Sequence, residues 1–287
     1  MRTLTLEQPL FWRWGDQSHS ASSAWLDHLP DHDRSFQFGD GLFETMRTNA
    51  DGELPLWRLH RQRLQEGFVR LDFPASALAQ VEACWQHLAL PPNSGIKLIV
   101  SRGSSQQGYA PAPKSDSVTL RWSAFVAPDW KHRLKPNGLV LGLNPVRLAR
   151  QPQLAGLKHT NRLEQVLARK AFEPGWDESI MLDTQGQVVE GTMSNVLWLT
   201  PAGAWTPRVD QAGVNGVMRR WLLEQSAITE ADCTMRSLAE AEAVVLMNSI
   251  TGLIPVYQLE QFLYDRHNPL LQSVMAYQHR LEALFGH

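Results

Sequence analysis

Cysteine is nearly absent from this sequence: Cys84 and Cys233 are the only two in 287 residues, far apart and outside any CxxC pair. That argues against a disulfide framework and the commoner zinc spacings. The ten histidines are scattered with no HExxH or comparable ligand spacing, so no metal site is expected. No apolar run reaches the roughly 20 residues that span a bilayer. The opening MRTLTLEQPLFWRWGD has no basic stretch followed by an apolar one, the mark of a secretory signal. Net charge is missing too: 27 basic and 29 acidic side chains leave −2, and no basic footprint for nucleic acid forms. A cytoplasmic globular protein is the expectation. Lysine is scarce. Lys97, Lys114, Lys131, Lys135, Lys158 and Lys170 are all there are, and arginine supplies the other 21 positive charges. Such a bias is usually genomic, but it shortens the list of amine nucleophiles.

What is present is apolar matter, 43% of residues, enough for a sizeable core. The length suits two modest domains or one large one. Residues 36–48, FQFGDGLFETMRT, read as a Gly-Asp-Gly turn leading into a strand, and Asp51-Gly52 as a hairpin turn before 54–57. Apolar spacing predicts helices over 59–71, through Leu59, Leu64, Phe68 and Leu71, and over 76–90. Strands are expected over 95–100 and 118–127, joined by a polar loop at 103–117. The Pro- and Gly-punctuated stretch 127–138 reads as a linker between a small α+β domain, 1–126, and a larger domain, 139–287. Beyond it the pattern predicts a strand over 139–143 and a helix over 160–172 with Leu163, Val166, Leu167 and Ala171 on one side. A hairpin pivoting on 183–186, strands over 195–200 and 243–247, and helices over 216–225 and 270–285 follow. Hairpins mixed with helices, rather than strict strand–helix alternation, favour an α+β fold.

An amine nucleophile must be neutral at working pH and rigidly held, and burial near other positive charge helps with the first. Lys114 sits in the Pro/Ser loop, Lys131 and Lys135 in the linker, and Lys170 late on a helix beside Arg169. Lys97 lies in an apolar strand and can point to either face. Lys158 follows Leu154-Ala155-Gly156-Leu157 and directly precedes a helix, a placement that suits a fixed inward amine. Local context alone favours reading Lys158 as an ordinary surface lysine.

Five segments change that. GLKHTNRLEQVLARKAF, DESIMLDTQGQVVEGTMSNVLWL, FGDGLFETMR, LHRQRL and GVNGVMRR resemble, in order and at plausible spacing, the motifs of the fold-type IV pyridoxal-phosphate enzymes. That family includes branched-chain and D-amino-acid transaminases and aminodeoxychorismate lyases. The resemblance implies a small N-terminal α+β domain, a larger pseudo-barrel C-terminal domain with pyridoxal 5'-phosphate between them, and a homodimer. By it, Lys158 carries the cofactor as a Schiff base and shuttles the proton, and Glu190 pairs with the pyridine nitrogen to keep the ring a strong electron sink. Arg63, in the His60–Leu64 motif, would contact the phosphate with its planar fork, unless it is a solvated helix arginine like Arg61. His60 would be its structural partner. The backbone of Gly216, Val217 and Met218, at a helix start, would meet the same phosphate. Ser249 would add a hydroxyl, with Thr251 as substitute if the register slips. Asn195 is implied as hydrogen-bonding support near the ring, while Asp40 and Asp183 read as turn formers.

Finer likeness points to the reaction. RLARQPQLAGLKHTNRLEQVL, SRGSSQQGYA and TPRVDQAGVNGVMRR are similar to the corresponding stretches of bacterial aminodeoxychorismate lyases. Branched-chain transaminases carry a Gly-rich stretch and a tyrosine after the lysine, where this chain has His159-Thr160-Asn161-Arg162. The implied reaction expels pyruvate from aminodeoxychorismate and leaves 4-aminobenzoate. A branched-chain or D-amino-acid transaminase is the alternative, and a non-catalytic binder of phosphate-bearing ligands the third reading. Two substrate carboxylates would suit Arg102, Arg147 and Arg150, with Tyr109 on a covering loop. Residues 11–32 look like an insertion relative to short family members, and no function follows from them. Eleven tryptophans fit core packing and interface burial equally well.

Overall fold

The computed structural model describes residues 1–13, 24–104, 108–111, 117–128, 138–225 and 228–286. The chain divides into two compact units: Met1–Ala127 with Lys158–Asn161, and Pro128–Leu157 with Arg162–His287. Most of the expected linker, 129–137 with Lys131 and Lys135, lies outside the described residues, as do Lys114 and positions 14–23 of the 11–32 stretch. Among the described residues no helix is long and apolar enough to cross a membrane.

In the first unit, β1 (Arg2–Thr3) pairs in parallel with β5 (Leu88–Ala89). The main sheet has the order β3-β2-β7-β6-β4. Its strands are β2 (Leu10–Arg13), β3 (Ala24–Leu26), β4 (Gly41–Arg47), β6 (Ser94–Ser101) and β7 (Thr119–Val126), all antiparallel. The helices are α1 (Arg34–Phe38), α2 (Trp57–Arg70) and α3 (Ala77–Trp85). Side chains alternate across a strand. Leu42 and Met46 of β4 therefore join Ile96, Leu98, Val100, Leu120 and Trp122 on one face, packed with Leu64, Phe68 and Val81 of the helices.

Two local expectations are corrected here. The Asp51-Gly52 turn exists, with Gly52 at φ +78°, but it does not make a hairpin. Asn49 Oδ1 accepts from the Asp51 and Glu53 amides, and the chain runs on into α2. The partner of β4 is β6, beyond both helices. The second helix stops at Trp85 rather than 90, because Leu88 and Ala89 are drawn into pairing with β1.

The second unit is built on a mixed sheet of order β10-β9-β8-β15-β14-β11-β12-β13, with β16 on β15. Its strands are β8 (Leu139–Leu148), β9 (Glu178–Asp183), β10 (Val188–Gly191), β11 (Asn195–Thr200), β12 (Gly203–Pro207), β13 (Thr229–Ala231), β14 (Ala243–Asn248), β15 (Gly252–Leu259) and β16 (Phe262–Leu263). The helices are α4 (Leu163–Lys170), α5 (Val217–Glu224), α6 (Met235–Ala239) and α7 (Pro269–Leu284). Every residue of β9 and β10 is buried, which is why these segments read as apolar runs without alternation. The strand at 139 runs five residues further than expected. Pro145 cannot donate to the ladder, and the pairing with β9 slips between Leu143 and Arg147 before resuming. Strands β12, β13, β15 and β16 were not anticipated.

Helix α4 departs most from expectation. Leu163, Val166 and Leu167 share a face as expected, but they are 76%, 52% and 52% exposed. The helix instead meets the sheet at its smallest side chain: Ala168 is buried, and its carbonyl accepts from Asn144 Nδ2 of β8 at 3.0 Å.

Candidate active site

In the first unit, residues 158–161 lie along the start of β4. The Phe43 amide donates to the Lys158 carbonyl at 2.9 Å, and the Thr160 amide to the Gly41 carbonyl at 2.9 Å. Thr160 Oγ1 and Asn161 Nδ2 both donate to the Gly39 carbonyl, at 2.6 and 2.9 Å. Gly39 takes φ +67°, and a Cβ there would fall 2.1 Å from Asn161 Oδ1. The Gly-Asp-Gly motif is thus the bed on which Lys-His-Thr-Asn rests. Lys158 Nζ lies 4.4 Å from the centroid of the Phe43 ring, and Lys97 Nζ 5.1 Å from the same ring. Both are within cation–π range.

Asp40 does more than form a turn. It accepts from Arg34 Nε and Arg102 Nε, each at 2.8 Å. Burial alone would raise its carboxyl, but the hydrogen bonds from Arg102 and Arg34 outweigh that and hold it below the usual range. Arg102 also donates to the Asp72 and Leu71 carbonyls at 2.6 Å and stacks on Phe73. Its fork is therefore engaged in tying β6 to the end of α2. Arg34 reaches three successive carbonyls, those of Gly108, Tyr109 and Ala110. The Tyr109 side chain is exposed.

Beneath β4 is a cluster the sequence reading did not assemble. Glu44, His60 and Arg63 are all buried. Glu44 Oε1 accepts from Arg63 Nε at 2.8 Å, Oε2 pairs with Arg63 Nη2, and His60 Nδ1 lies 2.6 Å from Oε2. Arg63 is accordingly no solvated helix arginine, unlike Arg61, which pairs with Glu82 at the surface. Burial would raise the Glu44 carboxyl, but the charges of Arg63 and His60 prevail and hold it at about 2. Burial is also the chief reason the His60 imidazole is pushed down from its ordinary value, with Arg63 and Lys158 adding to it against Glu44. A signal for Glu44 existed: in β4 it alternates with Leu42 and Met46, so period two alone places it inward.

These shifts set an acid dependence. The unfolded chain protonates His60 near the ordinary imidazole value of 6.5, above the folded value, so stability begins to fall as pH drops through that point. Glu44 adds a loss between the ordinary carboxyl value of 4.5 and about 2, on the order of 3 kcal/mol. Urea midpoints measured from pH 7 to pH 3 should decline below 6.5 and steepen below 4.5. A midpoint flat down to pH 4 would contradict this.

In the second unit, Glu190 is buried near the end of β10, and its Oε2 accepts from the Val214 amide at 2.9 Å. Asn195 Nδ2 donates to the Val214 carbonyl at 2.8 Å. Gly156 and Asn215 join the same loop: the Gly156 amide donates to Gly213, and the Asn215 amide to Gly156. Gly216 is the N-cap of α5 without a side-chain cap, so the first-turn amides at Val217 and Met218 have no acceptor within the helix. A Cβ at Gly216 would come 2.0 Å from Asn195 Oδ1. Both side chains beyond it are buried, which leaves only backbone to present. At the β14–β15 turn, Asn248 Oδ1 accepts from the amides of Ile250 and Thr251 and from Thr251 Oγ1. The Thr251 hydroxyl is thereby used internally, and Ser249 is the first residue of the turn. Asp183 is a turn former as expected, accepting from the Gln185 and Gln187 amides. Arg150 ion-pairs with it at 2.6 Å, and Arg147 donates to the Asn144 carbonyl.

The family model of amino-transferase class IV matches residues 41–259. An aminodeoxychorismate lyase of Vibrio harveyi is 37% identical over 239 residues, 80% of this chain and 86% of its own length. The solved structure of 4-amino-4-deoxychorismate lyase from Pseudomonas aeruginosa shares 36% identity at a TM-score of 0.76, over 93% of this chain and 98% of that one. The branched-chain amino acid aminotransferase of Escherichia coli also reaches 0.76 over 94% of this chain and 93% of its own, but at 18% identity it shows the fold alone. A match across that span, with a relative at 37% identity, places this chain in the amino-transferase class IV family.

Proposed function

We propose that this protein converts 4-amino-4-deoxychorismate to 4-aminobenzoate and pyruvate with pyridoxal 5'-phosphate. The observation that carries the reading is the near-full-length likeness to lyases at 36–37% identity, against 26% for a putative branched-chain aminotransferase of Methanocaldococcus jannaschii. The local chemistry agrees with the cofactor. A phosphate dianion suits the uncapped α5 start, where a side chain on Gly216 would intrude. A protonated pyridine nitrogen suits the buried Glu190 carboxylate, oriented by the Val214 amide.

When bound, the cofactor supplies an electron sink for the bond-breaking carbon. Lys158 would hold it covalently and, once released by the substrate amine, take the proton from C4 and return one to the departing enolpyruvyl methylene. Glu190 would keep a proton on the pyridine nitrogen. Arg63, Ser249 and the Val217 and Met218 amides would hold the phosphate. Asn195 fixes the 214–216 loop that presents those amides. We place the enzyme as a cytoplasmic homodimer, for which the exposed Leu163, Val166 and Leu167 offer apolar surface.

Incubating the purified protein with aminodeoxychorismate should release 4-aminobenzoate and pyruvate in equal amounts. Transamination of a branched-chain or D-amino acid without that release would give the site to the alternative.

A further inference from the structure

Glu44 is buried in the core of the first unit and has no part in the chemistry above. It sits 1% exposed on β4, between apolar Leu42 and Met46. Apolar packing of similar volume usually serves stability as well as a buried ion pair or better. An ion pair kept there therefore invites a reason other than stability, and its neighbours supply one.

With its carboxylate ionised, Glu44 can only accept hydrogen bonds. His60 must then carry its proton on Nδ1, the atom 2.6 Å from Oε2. The Nε and Nη2 edge of Arg63 is turned onto the same carboxylate, so Glu44 dictates where the rest of that rigid fork points. It also balances the charge of Arg63, and His60 feels the charges of both Arg63 and Lys158. The residue before it on the strand, Phe43, faces the opposite way. Phe43 donates its amide to the Lys158 carbonyl and lays its ring 4.4 Å from Nζ. One strand thus carries, on consecutive residues, the holder of Arg63 and the holder of Lys158.

We propose that Glu44 and His60 are positioning residues, with Glu44 aiming Arg63 at the cofactor phosphate and the pair anchoring β4 where Phe43 seats Lys158. The proposal rests on the pyridoxal-phosphate reading of the site.

The test uses full-length protein, with affinity for pyridoxal phosphate and for pyridoxal, which lacks the phosphate, titrated by absorbance after dialysis. Glu44→Gln should weaken pyridoxal phosphate on the order of tenfold or more, the scale of a hydrogen bond to a charged group. Pyridoxal should weaken by much less. Because Glu44→Gln leaves a buried guanidinium uncompensated, His60→Gln is the second variant. It keeps the Glu44–Arg63 pair and should move the same ratio in the same direction by a smaller factor, and it decides the matter should Glu44→Gln not fold. Wild-type ratios in the folded variants, or equal weakening of both ligands in step with a lower melting temperature, would overturn the proposal and leave the cofactor reading standing. Wild-type protein that takes up no pyridoxal phosphate would remove both.

Discussion

Lys158→Ala is expected to lower kcat/KM for 4-aminobenzoate formation by about 10⁴-fold or more, the upper range for a lost general acid–base group. The fold should survive. Truncating the side chain removes the 4.4 Å contact of Nζ with the Phe43 ring but leaves the bond from the Phe43 amide to the Lys158 carbonyl. The check is borohydride reduction followed by peptide mapping. Wild-type protein should yield a modified peptide at Lys158, and the variant none. Lys97 is the informative control, because its Nζ lies 5.1 Å from the same Phe43 ring. A modified Lys97 peptide in the variant, or a variant with near-normal turnover, would move the covalent role away from Lys158.

Glu190→Gln should cost roughly 10²-fold in kcat, comparable to removing one preorganised charge-stabilising contact from an active site. The substitution is chosen for what it preserves. A glutamine oxygen can still accept from the Val214 amide as Glu190 Oε2 does at 2.9 Å, so the loop that leads to Gly216 should keep its path. What is lost is the negative charge that would hold a proton on the pyridine nitrogen. The melting temperature should stay within about 2 °C of wild type, a shift of roughly half a kcal/mol in a chain of this size. A kcat within threefold of wild type would mean that Glu190 is no partner of that nitrogen.

Much of this was legible in the sequence where the cause is local. The turn at Asp183 declares itself through an Asp followed by a Gly, and its side chain closes the hairpin on neighbours two and four residues away. The start of α5 was readable from Gly216 for the same reason. Long-range pairing was not. Arg102 finds Asp40 across 62 positions and Arg63 finds Glu44 across 19, and 21 arginines offered no way to choose among them. Periodicity had its own limit at α4. The spacing of Leu163, Val166 and Leu167 does describe a common face, but spacing does not say what covers it, and among the described residues this face stays exposed. At β8 the expected strand ended with the apolar run at 143, whereas the backbone absorbs Pro145 with a register slip and continues to Leu148.

The grip of Arg34 on residues 108–110 has a further consequence. All three bonds are to main-chain oxygens, and every amino acid supplies that oxygen. The course of this loop is consequently insensitive to which side chains it bears, apart from position 108, where φ +60° favours glycine. The exposed Tyr109 ring meets Phe38 with centroids 5.3 Å apart, so exchanging it removes that ring contact and leaves the main-chain bonds to Arg34. Residues 108–110 thus act as a mount with an interchangeable fitting at 109, a place where selection can alter what the surface offers to a ligand while the three main-chain bonds stay as they are.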